Sequence, residues 1–442
     1  MTVLAPAYSF AQGYPLLSSK DVVEGAQEST KLRKPEVDRL SLMRRDRTTR
    51  KATAVAIDTN ALSSTVVTFQ IPDGPFLTIR RSREERHENG TVTWVGKVDS
   101  GGSAVLTLDG KGAVGTIDIP RRRFIIQPLN GQLHVLKEVD FSGMPREHPA
   151  SAPDGAGSLR SSTSEAPKIL QSDPFKSATA VLPSSTINVL VAFTPSAIQY
   201  LGPMESAAQS AVSLLNESFR NSEVNLNAKL VGTFADPREF SDSITARDGV
   251  RESIGLVNAR NSLNADVVVM VATFGDNCGI ARQILATPQT AYASVAANCF
   301  LAFRSFAHEI GHLLGARHDR FNDPTTTPFS YGHGYQLNHY VDAALSWCEH
   351  DIMAYPQGCA GDDRINYWSN SRKVHGAYKT ATGLKSIYLG DEYSDVARVL
   401  NETGPNVTTF RGSKFTATPL TYFSTYFMAA MFVFDQCVSC AE

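Results

Sequence analysis

The sequence predicts two folded units: a small all-β domain, followed by an α/β domain built on a mixed, twisted sheet around one long helix. Three observations carry this. Residues 53–145 show short runs of period-2 alternation with Gly, Asn and Asp between them; residues 146–185 turn rich in Ser, Ala, Pro and Gly; and from residue 186 nearly continuous apolar runs alternate with helical patterns. At 442 residues the chain is long enough for more than one core.

Taken in order, residues 1–52 read as a poorly ordered leader. The basic stretch 31–51 also contains Asp38 and Asp46 and lacks apolar periodicity. Its start, MTVLAPAYSFAQGYPLL, lacks a basic segment before a continuous apolar core, so it does not read as a signal peptide. Strands are expected at 65–71, 91–98, 104–108, 113–119, 123–127 and 132–137. Residues 146–185 follow as a flexible linker that cannot bury a core. The α/β unit, residues 186–413, opens with INVLVAF, a buried strand. Then come a helix at 203–221, a strand at 224–233, a helix at 250–263, a strand at 266–274 and an edge strand at 293–297. The long helix starts near Ala302, and a last helix from Ala397 has Gly404 just beyond its final turn. Residues 414–442 form an apolar tail whose 420–434 run is shorter than the roughly 20 residues that span a bilayer.

A formal net charge of -2 argues against a nucleic-acid partner. All six cysteines lie in the second half, at short spacings that suit disulfides, and Cys278 with Cys299 and Cys348 with Cys359 are the expected pairs. Such pairing implies export to an oxidising compartment.

The chemistry-bearing segment is HEIGHLLGARHD, residues 308–319. Residues four apart lie almost above one another on a helix, so His308 and His312 can reach a single tetrahedral ion. Glu309, one position round, can accept a proton from water on that ion without ligating it. Gly315 can adopt positive φ and turn the chain, so that His318 returns as a third ligand and one position stays open for water.

The spacing matches H-E-x-x-H-x-x-G-x-x-H, and the chain thereby resembles the metzincin zinc endopeptidases. That resemblance implies a metzincin catalytic domain holding one catalytic zinc ion. It also implies a methionine turn, which CEHDIMAY supplies with Met353 as an apolar floor beneath the imidazoles. Asp319, directly after the third His, is similar to the structural acid of reprolysins. Tyr355 is similar to the tyrosine of astacins and serralysins, which can steady the transition state.

From Ile187 to Gly412 the chain resembles the bacterial peptidyl-Asp metalloendopeptidases, on INVLVAFTPSA, CGIA, HEIGHLLGARHD, DIMAY, INYWSNS and ARVLNETG. This implies protein or peptide substrates cut on the amino side of Asp. It also implies a cation for the substrate carboxylate, with Arg364 and Arg372 as candidates. The β-rich region resembles reprolysin-type prodomains, which implies a zymogen inhibited by its own prodomain. No cysteine precedes Cys278, so a thiolate cannot silence the metal; His134 and Asp140 are candidates that the residues alone do not assign. The linker aspartates, Asp154 and Asp173, mark self-cleavage sites, with Asp173 preferred because Pro153 precedes Asp154. The rivals are a reprolysin-like protease of broader specificity and a non-catalytic binding protein on the same fold.

Overall fold

The computed structural model describes residues 13–18, 21–23, 31–148, 185–275, 277–339, 347–355, 362–380 and 383–411. Asp154, Asp173, Cys359, Cys437, Cys440 and the apolar run 420–434 lie outside them.

The N-terminal half is one ten-stranded sheet: β1 Tyr14–Leu17, β2 Val22–Val23, β3 Thr49–Ala56, β4 Val66–Gln70, β5 Phe76–Arg86, β6 Val92–Val98, β7 Ser103–Leu108, β8 Ala113–Ile119, β9 Arg122–Asn130 and β10 Leu133–Val139. Strand order is β1-β4-β5-β6-β7-β8-β9-β10-β3-β2. β4 to β10 form an antiparallel meander. Along its central strands both faces of this sheet are buried, each in a different core. Ile79, Trp94, Leu106, Ile117, Ile126 and Leu136 share one core, while Val95, Val105, Val114, Ile125 and Val135 belong to the core of the second half.

Residues 1–52 are not a poorly ordered leader throughout, since β1, β2 and the start of β3 lie within them, and two further stretches depart from the sequence reading. Lys34–Arg45, inside the expected leader, is a helix, α1, with Glu36, Leu40 and Met43 buried. Its Arg39 donates to Tyr200 O at 3.2 Å and to Pro128 O, so α1 is wedged between the two halves. Two apolar residues and a glutamate make too thin a stripe for periodicity to register. β5, with its FLTIRRSREER, was likewise hidden by its charge.

The second half carries a five-stranded sheet in the order β12-β11-β13-β15-β14, with β11 Ser185–Phe193, β12 Leu226–Ala235, β13 Val267–Ala272, β14 Gly279–Ala281 and β15 Tyr292–Ala296. All pairings are parallel except β14 with β15. Its helices are α2 Pro195–Leu201, α3 Met204–Asn221, α4 Ser243–Glu252, α5 Ile254–Ser262, α6 Ser305–Leu313 and α7 Val396–Val407. Smaller sheets pair β16 Gln336–His339, β17 Trp347–His350 and β18 Asp362–Arg364, and β19 Val374–Thr380 with β20 Gly383–Tyr388.

α3 lies on the outer face of the N-terminal sheet, where Ala207, Ala211 and Val212 meet the valines above, and Thr93 Oγ1 and Ser213 Oγ are 2.8 Å apart. The single helix expected at 250–263 is two, because Ser253 Oγ accepts from Leu256 N–H at 3.2 Å and starts α5 afresh. Gly404 lies inside α7, where a Cβ would meet the Leu226 side chain at 2.3 Å. The expected edge strand 293–297 is interior as β15. The edge is β14, whose three residues are too few to show a period.

His134 in β10 is fully buried: Nε2 accepts from Ala113 N–H at 3.0 Å and Nδ1–H donates to Gln132 O at 2.7 Å. Burial pulls its pKa down from 6.5 to about 4. An unfolded chain therefore takes up the proton first, so this contribution is complete above pH 6.5 and is lost as pH falls toward about 4. It amounts to at most about 3 kcal/mol. Urea unfolding should show a larger acid drop in stability for the wild type than for His134→Gln, whose amide can offer both hydrogen bonds. Equal drops would refute the assignment.

Candidate metal centre and active site

α6 begins at Arg304, in the left-handed region at φ 60°, and the Arg304 guanidinium pairs with Asp118 of β8. Arg123 pairs with the same carboxylate and also donates to Arg364 O at 2.7 Å. The start of the active-site helix is thus anchored by the N-terminal sheet.

His308 and His312 project from one face of α6 with their Nε2 atoms 3.1 Å apart. The chain turns at Gly315, φ +108°, where a Cβ would press on Phe329 at 3.1 Å. That turn returns His318, whose Nε2 lies 3.2 Å from His308 Nε2 and 3.0 Å from His312 Nε2. Nδ1–H of His308 donates to Ile352 O at 2.8 Å and Nδ1–H of His312 to Ala316 O at 2.9 Å, which leaves both Nε2 atoms as lone pairs. His333 Nδ1 donates to His318 O at 2.9 Å and fixes the returning loop. Burial holds His308 and His318 well below the ordinary imidazole value and His312 down to about 4, so all three are neutral. Neutral lone pairs aimed at one point repel unless a cation shares them. Spacings of 3.0–3.2 Å suit nitrogens about 2.0–2.1 Å from a common tetrahedral ion, so the donor set fits zinc.

Glu309 is fully buried, and a Cβ on Gly279 of β14 would lie 2.9 Å from its Oε1. The glycine makes room for the carboxylate. Burial pushes Glu309 up to about 8, and a bound cation would act in the opposite direction.

Met353 is fully buried beneath α6, its Sδ 2.7 Å from where a Cβ on Gly311 would stand. The turn around it is shaped by Asp351, whose carboxylate accepts from Met353 N–H at 3.0 Å, Ala354 N–H at 2.8 Å and Ser369 N–H at 2.8 Å. Trp368 fills the space beyond Gly311 and donates from Nε1 to Ser218 Oγ at 2.8 Å, tying INYWSNS to α3. Tyr355 places its hydroxyl 3.1 Å from His318 Nε2, and its N–H donates to Asp319 Oδ2 at 3.0 Å. Asp319 therefore clamps the methionine turn to the third histidine.

Arg364 is fully buried. It pairs with Glu147 and donates to Phe303 O at 2.8 Å and Ala354 O at 3.2 Å. Arg372 is not brought to the described site: its side chain is 61% exposed and pairs with Asp395 at 3.4 Å. Exposed chain between the methionine turn and α7 offered two arginines to sequence reasoning, and only burial separates them. Cys278 and Cys299 form a disulfide, and Cys348 is also disulfide-bonded.

Sequence reasoning missed Glu147 and His148, which close the metal site from the segment assigned to the linker; Glu147, His308 and Glu309 have ligand atoms within 4.8 Å of one another. An acid and a histidine side by side at the start of a Ser/Ala/Pro-rich run were the only signal. His134 and Asp140 lie elsewhere, His134 in its β10 pocket and Asp140 capping the short 3-10 turn at Ser142 N–H. Asp351 and His333 were missed too, because a buried acceptor of backbone N–H groups has no spacing signature.

A model of the reprolysin-like peptidases, metallo-peptidase family M12B, matches residues 205–319. The chain is 32% identical, over 437 residues covering 91% of it and 95% of the relative, to a protein of Xanthomonas campestris pv. campestris named peptidyl-Asp metalloendopeptidase. It is 34% identical over 354 residues, 77% of this chain and 78% of the relative, to a protein of the same name from Stenotrophomonas maltophilia.

Asp351→Ala strands three buried N–H groups, each worth about 1–3 kcal/mol when left unpaired. Denaturant unfolding should show a loss of at least about 3 kcal/mol, together with weaker metal retention against a chelator. A variant with unaltered stability and retention would remove Asp351 from its organising role.

Proposed function

The chain belongs to the peptidyl-Asp metalloendopeptidases of the reprolysin-like group, and from that premise we propose that it is a secreted zinc endopeptidase, made as a proenzyme, that cuts on the amino side of Asp. The observation that carries the reading is the convergence of His308, His312 and His318 on one point, with Glu309 buried alongside and Arg364 holding a carboxylate next to it.

His308, His312 and His318 would hold zinc, which when bound would supply a Lewis acid for the scissile carbonyl and for water. Glu309 takes the proton of the attacking water and hands it to the leaving amine. Its low-polarity surroundings raise its affinity for a proton, and a cation on the three imidazoles would favour the ionised form that accepts one. The Tyr355 hydroxyl, 3.1 Å from His318 Nε2, donates to the oxyanion as it develops. β14 is the terminal strand of its sheet, and once residues 146–147 leave it, its backbone groups would be available to an extended peptide.

Specificity rests on Arg364. Glu147 occupies it here, and the ligand atoms of that carboxylate, His308 and Glu309 lie within 4.8 Å of one another. A substrate Asp paired with the same guanidinium would bring its own peptide nitrogen beside the catalytic residues. Export is supported by the Cys278–Cys299 disulfide and the bonded state of Cys348.

Glu309→Gln should retain stoichiometric zinc and lose activity by roughly 10²–10⁴-fold, since the amide keeps the shape but cannot accept a proton. Metal analysis beside peptide turnover checks this; turnover within about tenfold of the wild type would remove Glu309 as the base. For Arg364→Gln, peptides bearing Asp or Ala after the scissile bond should lose their discrimination by at least about tenfold in kcat/KM, because the carboxylate then lacks its cation. A preserved preference in a zinc-loaded variant would place the selecting cation elsewhere.

A further inference from the structure

After the turn Phe141–Gly143 the chain leaves the N-terminal sheet and enters the active-site cleft along β14. Arg146 bridges Asn277 in parallel, Cys278 N–H donates to Arg146 O at 2.6 Å, and Gly279 N–H donates to Glu147 O at 2.9 Å. The carbonyls of Arg146 and Glu147 therefore occupy backbone N–H groups of the edge that a substrate would use. Glu147 is 1% exposed, and its carboxylate pairs with Arg364 and accepts from Ser305 Oγ at 3.2 Å. His148 lies over the three converging imidazoles, with ring centroids 4.7 Å from His318, 5.0 Å from His312 and 5.8 Å from His308. Ligand atoms of all four histidines fall within 4.8 Å of one another, and His148 Nε2 is 3.6 Å from Glu309 Oε1.

We propose that His148 is the fourth donor to the metal ion in the uncleaved chain, with Glu147 filling the carboxylate pocket of Arg364, so that the segment Arg146–His148 closes the site as a built-in substrate mimic. A fourth imidazole packed on three others brings one more ring nitrogen to a crowded point, and a tetrahedral cation accommodates four donors. A site of four protein ligands is closed, whereas catalysis needs an open position for water. In that position His148 also stands where water would meet Glu309. The chain needs no thiolate for this, and none precedes Cys278. Two features that a substrate must satisfy, a carboxylate for Arg364 and a backbone for β14, are thus met by the chain itself, and a histidine takes the place of the reacting group. The inference uses the proposed metal and adds a ligand to it.

The test is zinc K-edge absorption on the intact full-length chain loaded with one equivalent of zinc, in which imidazole multiple scattering counts the bound histidines. Four are expected in the wild type, and three plus an oxygen in His148→Ala at the same stoichiometry. Peptide turnover by the uncleaved variant should rise at least about tenfold, since an intramolecular ligand at high effective concentration has been removed. Three imidazoles in the wild type, or four in both proteins, would overturn the assignment. Should His148→Ala fail to fold, the wild-type count alone decides. A shell that opens as expected without peptide turnover would leave His148 as the ligand and count against the peptidase reading instead.

Discussion

The structure depends on one electrostatic constraint: three neutral imidazoles must direct their lone pairs at a single point inside a buried site. Left to itself, that arrangement is repulsive, so every surrounding element serves to hold it. α6 sets the spacing of His308 and His312, and Gly315, in a conformation that side chains resist, returns His318. Backbone carbonyls of Ile352 and Ala316 take the two Nδ1 protons and so fix which nitrogen faces the ion. The turn that supplies Ile352 is itself shaped by Asp351, a carboxylate pushed up to about 6 by burial and retained because three N–H groups need it. Asp319 and Ser369 then join the turn to the third histidine and to α7.

The N-terminal half is joined to this arrangement more closely than a removable cover would be. Five sheet residues, Val95, Val105, Val114, Ile125 and Val135, sit in the same core as α3, and their burial is worth on the order of 10 kcal/mol in total. Asp118 carries the contact to the active-site helix through Arg304, and Lys137 is buried against Thr48 Oγ1 at 2.6 Å and Tyr200 OH at 2.9 Å. Desolvation lowers Lys137 to about 8. The same half then delivers Glu147 and His148 into the cleft, so docking of the sheet and closure of the metal site are one event in the fold.

Burial also explains which of the chemically equivalent candidates matter. Arg364 and Arg372 are eight positions apart on the same stretch of chain, yet one is enclosed by Phe303 O, Ala354 O and Glu147, and the other extends into solvent. An enclosed guanidinium requires a carboxylate, which Glu147 supplies here. His134, His148 and Asp140 differ in the same way. His134 is consumed by two backbone partners and Asp140 caps a turn, whereas His148 is brought beside the three imidazoles by chain that hydrogen-bonds to Cys278 and Gly279.

The sequence by itself determined the local chemistry: the histidine spacing on a helix, the glutamate beside it, the need for glycine at 315, the cysteine pair 278–299 and most strands of both sheets. These follow from periodicity and from residue types whose conformational or ligating preferences act over a few positions. Only the tertiary structure decided the rest. α1 was illegible because its stripe of Leu40 and Met43 is completed by neighbours from both halves, and the true edge, β14, because three residues carry no period. Arg364, Asp351 and His148 acquire their roles from what surrounds them after folding: carbonyls, N–H groups and imidazoles brought together from separate parts of the chain. Their physical meaning lies in desolvation and long-range convergence, and neither is written in the spacing of neighbouring residues.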